Sequence, residues 1–262
     1  MNKTVYMFFC KWVTVFALGV LGISPLVQAE ASDISLSTLS ETASNAKEEF
    51  EAISRDLGRA ISIGPANSPE PLGLLGFNAG VEVLFVKVDS TPFKNASGEN
   101  IPGSLLPVPR LRVQKGLPFG VDVGVAYLPE ANKVNVGMFG GELRIDLLET
   151  IPLPTPLLHF SGRVSYSKLT GVKELSLQTL AFDLSGGLNF PLIKPYAGIG
   201  QIRTRSSVDA NLEKLLGIKK VDVNKGNFFA GVKLALIPFV PINIEYSNSN
   251  LSSLSIKAAV EF

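Results

Sequence analysis

The sequence is poor in the residues that most often carry chemistry. Its 262 residues hold one cysteine (Cys10), one histidine (His159), one tryptophan and three methionines. Cys10 lies in a leader, so the mature chain is expected to have no thiol. That excludes a disulfide framework, a thiolate nucleophile and a thiolate metal site. A single histidine gives no basis for a zinc centre, and no cofactor is implied. The glycines of Gly140-Gly141 and Gly198-Ile199-Gly200 sit inside alternating patterns, where they permit curvature or close packing rather than cradle a phosphate. An excess of one charge sign is also missing. With 24 basic and 23 acidic residues the net charge is +1, which offers no electrostatic case for nucleic acid.

Long hydrophobic runs are missing too, apart from the first thirty residues. Residues 1–29 read as a signal peptide. Lys3 and Lys11 give a positive start, Trp12 to Val27 carry no charge, and Val27-Gln28-Ala29 is a small-residue cleavage pattern. Losing Lys3 and Lys11 brings the mature charge to −1. An exported chain that is 46% hydrophobic, yet has no later spanning helix, has to sort its apolar residues by alternation.

Residues 30–71 read as an amphipathic helix and a proline-rich linker. Over residues 33–62, Leu39, Ala43, Ala46, Phe50, Ile53, Leu57 and Ala60 form one apolar stripe, with Glu48, Glu49, Glu51, Arg55 and Asp56 on the other face. Such a stripe needs a partner: a barrel wall, a barrel lumen or another helix. Gly64-Pro65-Ala66-Asn67-Ser68-Pro69-Glu70-Pro71 then reads as a linker.

The period changes to two over residues 72–262. Ten strands are predicted, at about 76–88, 108–116, 118–128, 134–148, 157–168, 175–190, 195–206, 226–237, 241–248 and 252–262. Most reach the roughly 9–11 residues that a tilted membrane strand needs. Val208, Leu212, Leu215 and Leu216 are spaced for a short helix after the seventh. Alternate connections contain proline (Pro118; Pro152, Pro154 and Pro156; Pro191 and Pro195; Pro238 and Pro241), while the others include the longest and most polar. Antiparallel neighbours would put short turns on one rim and polar loops on the other, as in outer-membrane barrels.

On the third predicted strand Phe119, Val121, Val123, Val125 and Tyr127 share one face. On the sixth, Leu180, Phe182, Leu184, Leu188 and Phe190 oppose Asp183, Ser185 and Asn189. A soluble barrel turns such a face inward, whereas a membrane barrel turns it to lipid. Aromatic spacing favours lipid. Phe77 and Phe85, Phe119 and Tyr127, and Phe182 and Phe190 are each eight residues apart. That is about 27 Å along a strand and roughly 20 Å of height once tilted, close to the apolar band between aromatic girdles.

The last ten residues, SLSIKAAVEF, alternate strictly and end on Phe262. This resembles the terminal signature of Gram-negative outer-membrane β-barrel proteins. The resemblance implies an all-β fold: a closed antiparallel up-and-down transmembrane barrel of about ten strands, preceded by the amphipathic helix. It also implies that Phe262 is an assembly signal read by the outer-membrane barrel assembly machinery, and that outer-membrane lipid is the surrounding partner.

With polar parity inward, the expected lumen-lining charges are Arg110, Arg112, Arg144, Arg163, Arg203, Arg205, Lys233 and Lys257 against Glu82, Asp122, Glu142, Asp146, Asp183, Glu245 and Glu261. Near balance suits a paired polar core better than a charge-selective channel. The expected function is therefore a non-enzymatic outer-membrane protein, structural or passing a small solute, with a narrow or plugged lumen. Two alternatives are weighed against it. His159-Phe160-Ser161 matches the His-x-Ser pair of some outer-membrane lipid hydrolases, but it lies at the expected periplasmic rim with no acid nearby in sequence to orient the histidine. A soluble periplasmic β-barrel binding protein is the other.

Overall fold

A computed structural model describes residues 43–88, 105–130, 136–148, 157–172, 175–209, 220–249 and 251–262. One helix, α1 (Ala43–Ile61), precedes ten strands: β1 (Phe77–Lys87), β2 (Leu105–Gly116), β3 (Val121–Leu128), β4 (Gly137–Asp146), β5 (Leu158–Thr170), β6 (Leu175–Leu188), β7 (Ile193–Val208), β8 (Lys220–Ile237), β9 (Val240–Asn248) and β10 (Ser252–Glu261). Each strand pairs antiparallel with its sequence neighbour, and β1 also pairs with β10, so the sheet closes into a ten-stranded barrel. The predicted helix residues before Ala43, and the helix expected around Leu212 to Leu216, lie outside the described residues.

The period-two pattern settles which way each side chain points. Val113, Val123, Val125, Tyr127, Phe139, Phe160, Phe182, Leu184, Ile199, Ile244 and Ile256 are exposed on the outside of the wall, while Glu82, Arg112, Asp122 and Lys257 are buried within it. This is an inverted barrel: greasy without, polar within. In water such an exterior would be an aggregation surface; hydrocarbon is the solvent it suits. Closure leaves no strand edge unpaired, as hydrocarbon also demands.

At the seam, Phe262 N donates to Phe77 O at 3.1 Å and Phe77 N donates to Phe262 O at 2.7 Å, with the two rings 5.6 Å apart. Among the described residues, the proline-bearing connections at 117–120, 189–192 and 238–239 lie on the short rim; Pro152, Pro154 and Pro156 lie outside the described residues. The β8–β9 link is the tight turn Pro238-Phe239, whose Phe239 adopts φ 64°.

β7 corrects one expectation. Arg203 and Arg205 do not line the lumen; Ile202, Thr204 and Ser206 do. β7 and β8 are 16 and 18 residues long, well beyond what a membrane crossing needs, and their far ends run past the apolar belt. Outward charges there meet water and each other: Arg205 Nε donates to Asp222 at 2.9 Å, and Lys220 stands 3.3 Å from the same carboxylate.

The barrel is not hollow. α1 lies in the long-loop half of the lumen, where Phe50, Ile53, Leu57 and Ala60 pack against Leu84, Val86, Val108, Met138, Leu169, Leu177 and Val221 from the ends of six strands. The interior thus has an apolar storey around α1, with polar residues filling the rest. Gly58 lets α1 sit close to β7, since a Cβ there would fall 2.3 Å from Thr204 Oγ1.

Two substitutions separate the belt from the overhang. Phe182→Arg places a charge on the outward face of β6 and is expected to cost about 2–4 kcal/mol in bilayer vesicles. Arg203→Ala is expected to leave the urea unfolding midpoint unchanged; equal effects would contradict the inverted orientation.

Candidate functional site: the lumen and the segment that fills it

Residues 62–72 were expected to form a linker. Instead they run down the lumen from the end of α1 to the short-turn rim, where β1 begins, and every residue from Ser62 to Pro69 is buried. An irregular chain buried in a barrel has peptide groups with no sheet to bond to, so the wall has to supply partners. Prolines at 65, 69 and 71 remove three N–H donors from the problem. Two other amides are met by wall carboxylates: Ala66 N donates to Glu245 Oε2 at 2.8 Å and Leu72 N to Asp122 Oδ1 at 3.1 Å. The first of these helps hold Ala66 at its left-handed φ of 42°.

The carbonyls are met by arginines. Arg110 Nη1 donates to Ser62 O at 2.9 Å, Arg163 Nη2 to Ile63 O at 2.9 Å, Arg112 Nη1 to Gly64 O at 3.0 Å, and Arg144 Nη2 to Glu70 O at 2.9 Å. Each guanidinium is also paired with carboxylate. Arg110 forks onto Glu82 at 2.6 and 2.9 Å, and Arg112 bridges Glu82 and Glu142 at 3.0 and 2.6 Å. Arg163 joins Glu142 at 3.0 Å and Asp183, while Arg144 holds Asp122 at 2.6 Å. The result is a chain of pairs, Arg110–Glu82–Arg112–Glu142–Arg163–Asp183, around the plug. Charge-assisted bonds of this kind are worth about 1.5–3 kcal/mol each.

Below this, Lys257 donates to Asn67 and Asn78, and Lys194 and Asn189 hold the Glu70 carboxylate at 2.6 and 2.7 Å. Lys233 pairs with Glu261, which also accepts from Asn78 at 2.7 Å. Tyr196, which carries no charge and was not singled out in the sequence, donates to Glu245 at 3.0 Å. What space remains is small. A pocket beside Pro65 and Asn67, between Gln114, Arg144, Ser161 and Asp183, holds about 10 Å³, roughly one water.

The His-x-Ser pair takes a different arrangement from the one weighed in the sequence. His159 does have an acid: its Nδ1 lies 2.7 Å from Asp146 Oδ2. The acid is 13 positions earlier, brought close by β4–β5 pairing, in which Asp146 faces Ser161. Ser161, however, exchanges its hydrogen bond with Ser185 Oγ at 2.9 Å, on β6. Among the described residues no hydrogen bond joins His159 to Ser161, and no group of three metal-ligating side chains is gathered.

The family of unknown function DUF6588 matches this chain over residues 28–262. No curated protein matches. Solved structures of similar fold include the attachment invasion locus protein Ail of Yersinia pestis, 11% identical, covering 71% of this chain and 97% of that one at a TM-score of 0.30. Outer membrane protease OmpT of Escherichia coli is 7% identical, covering 71% and 96% at 0.36, and Neisserial surface protein A is 14% identical, covering 71% and 95% at 0.30.

Replacing Arg112 tests the plug. Arg112→Met takes one of the two arginine partners from each of the buried carboxylates Glu82 and Glu142, and the donor from the Gly64 carbonyl, for an expected loss of about 3–5 kcal/mol. Urea titration of folded protein in vesicles measures it; a loss under about 1 kcal/mol would mean the network does not hold the plug.

Proposed function

The chain belongs to the DUF6588 family, and we propose that it is a non-enzymatic outer-membrane β-barrel whose lumen is closed by its own N-terminal segment. The observation that carries this reading is the plug: a buried backbone from Ser62 to Pro69 whose carbonyls are bonded to four wall arginines. An open channel needs a continuous water path and weak, multiple sites along it; here the cross-section is filled by protein. The belt of outward Val, Leu, Ile and Phe supports residence in a bilayer and argues against the soluble periplasmic alternative. A lipid hydrolase would need Ser161 within reach of His159, and Ser161 is buried at 1% exposure on Ser185 instead.

We assign to Phe262 the role of assembly signal that the terminal pattern implied. It is exposed at the short-turn rim while its backbone zips the β1–β10 seam, so it is both accessible and structural.

The mature chain in planar bilayers is expected to show no steady conductance. A stable open level of nanosiemens size from the intact protein would overturn the closed-lumen reading. Removing Phe262 is expected to lower the folded, heat-modifiable fraction in outer-membrane extracts, while spontaneous refolding into vesicles changes less. Equal losses in both would assign the residue to the seam alone.

A further inference from the structure

A second pocket lies higher in the lumen, where α1 faces β7, β8 and the β9–β10 connection. Arg55, Arg59, Lys225, Thr204 and Ser249 line it, with Ile202 and Val223 as an apolar wall. Three of these side chains are cationic and none is acidic. Arg59 is the telling member. It is 4% exposed, and only its Nη2 is engaged, donating to Ser247 and Ser253 Oγ at 2.7 and 2.6 Å. Its Nε and Nη1 are buried with no partner. Every other lumen arginine of the plug network lies against a carboxylate; Arg59 lies against none. Lys225 makes no ion pair or hydrogen bond with any described residue, and Arg55 keeps one tie, Nε to Asp56 at 2.9 Å.

A buried guanidinium with two idle donors, beside a second and a third cation, lacks an acceptor of negative charge. The cavity itself holds about 10 Å³, the room of one oxygen atom, and is walled partly by the half-exposed Arg55 and Lys225 near the long-loop mouth. We propose that this pocket binds a small oxyanion of the carboxylate or phosphate class. One oxygen enters to accept from Arg59 Nε and Nη1, and the rest of the anion stays at the mouth between Arg55 and Lys225. The hydroxyls of Thr204 and Ser249 complete the donor set. The site stands on the seating of α1 in the barrel and is independent of whether the lumen conducts.

Equilibrium dialysis of the refolded mature protein in zwitterionic micelles, against radiolabelled inorganic phosphate and separately against acetate, tests it. Saturable binding of about one anion per chain is expected. The Arg55→Gln/Lys225→Gln pair, both partly exposed and outside the plug network, is expected to weaken it about tenfold or more, the scale of losing one or two charge-assisted contacts. Heat-modifiable migration checks that the variant is folded. Arg59→Lys, which keeps the charge but not the two idle donors, is expected to weaken binding as well. Adding phosphatidylglycerol to the micelles separates the sources: displacement of phosphate assigns the site to a lipid headgroup, no displacement to a free solute, and both outcomes support the site. No saturable binding of either anion, or binding unchanged in the double variant, would overturn the proposal.

Discussion

Everything inside this barrel answers to one constraint: a stretch of irregular backbone passes through a space that packed side chains close to bulk water. Between Ser62 and Leu72 the peptide groups have no helix or ladder of their own, so side chains of the wall must take that place. Arginine suits the task because its planar fork donates in several directions at once. Arg110, Arg112, Arg144 and Arg163 each give at least one N–H to a plug carbonyl and at least one to a carboxylate, while the Nε of Arg112 and of Arg163 stays unpaired. The carboxylates are needed because a guanidinium brought into the interior alone would be far too costly. Near-neutrality of the lumen follows from this. Each carbonyl to be held brings in a cation, and each cation brings in an acid.

The apolar storey obeys a different rule. α1 satisfies its own backbone, so its apolar stripe needs only burial, while Ser54 and Arg59 beside the stripe meet wall serines. The wall accordingly changes character along its height. At the long-loop end of β1 both faces of the strand are apolar: Leu84 and Val86 look in while Val83 and Phe85 look out; at that end of β6 the inward residues Leu175 and Leu177 are apolar too. Nearer the short rim the inward face turns to Asn78, Glu82 and Lys257. Opposite the apolar stripe of α1 the wall is greasy, and where the chain inside is irregular the wall is charged. The boundary falls close to Ile61–Ser62, where the last helical turn closes with Ser62 N on Gly58 O at 3.0 Å.

This explains what was legible in the sequence. Strand positions were, because period two with a wet and a greasy side is a strong signal, and because proline marks alternate turns. Most inward charges could be read from the same parity. Arg203 and Arg205 could not, since apart from Ile202 the stretch Gln201 to Ser207 is polar on both parities and nothing in the composition tells a strand that has left the membrane from one still in it. The plug was hidden because glycine and proline are as useful for avoiding unmet N–H groups in a crowded lumen as for making an exposed linker. One local signal was available: loss of alternation in Val81 to Val88, where Val-Glu-Val-Leu-Phe-Val-Lys-Val is apolar on both faces at its far end. The acid for His159 was out of reach, because only the register between β4 and β5 puts Asp146 beside it.

The order of the elements also bears on how such a barrel can form. α1 lies toward one mouth, the plug leaves at the other, and the chain then reverses through Leu72–Gly76 directly into β1. The reversal is tight: Gly73 has φ 76°, and a Cβ on Gly116 would fall 1.9 Å from Gly73 O. β1 is the strand that closes the ring, pairing with β2 on one side and with β10, at the far end of the sequence, on the other. Its Glu82 is the acid shared by Arg110 and Arg112, so the plug and the closing strand are bound by the same carboxylate. A finished ring offers no lateral opening, and a helix with its side chains is about 10–12 Å across, too wide for a lumen already lined with arginines. The plug and the ring are held as one unit: Glu82 ties the plug-holding arginines to β1, and the backbone pairing of Phe77 with Phe262 ties β1 to the end of β10.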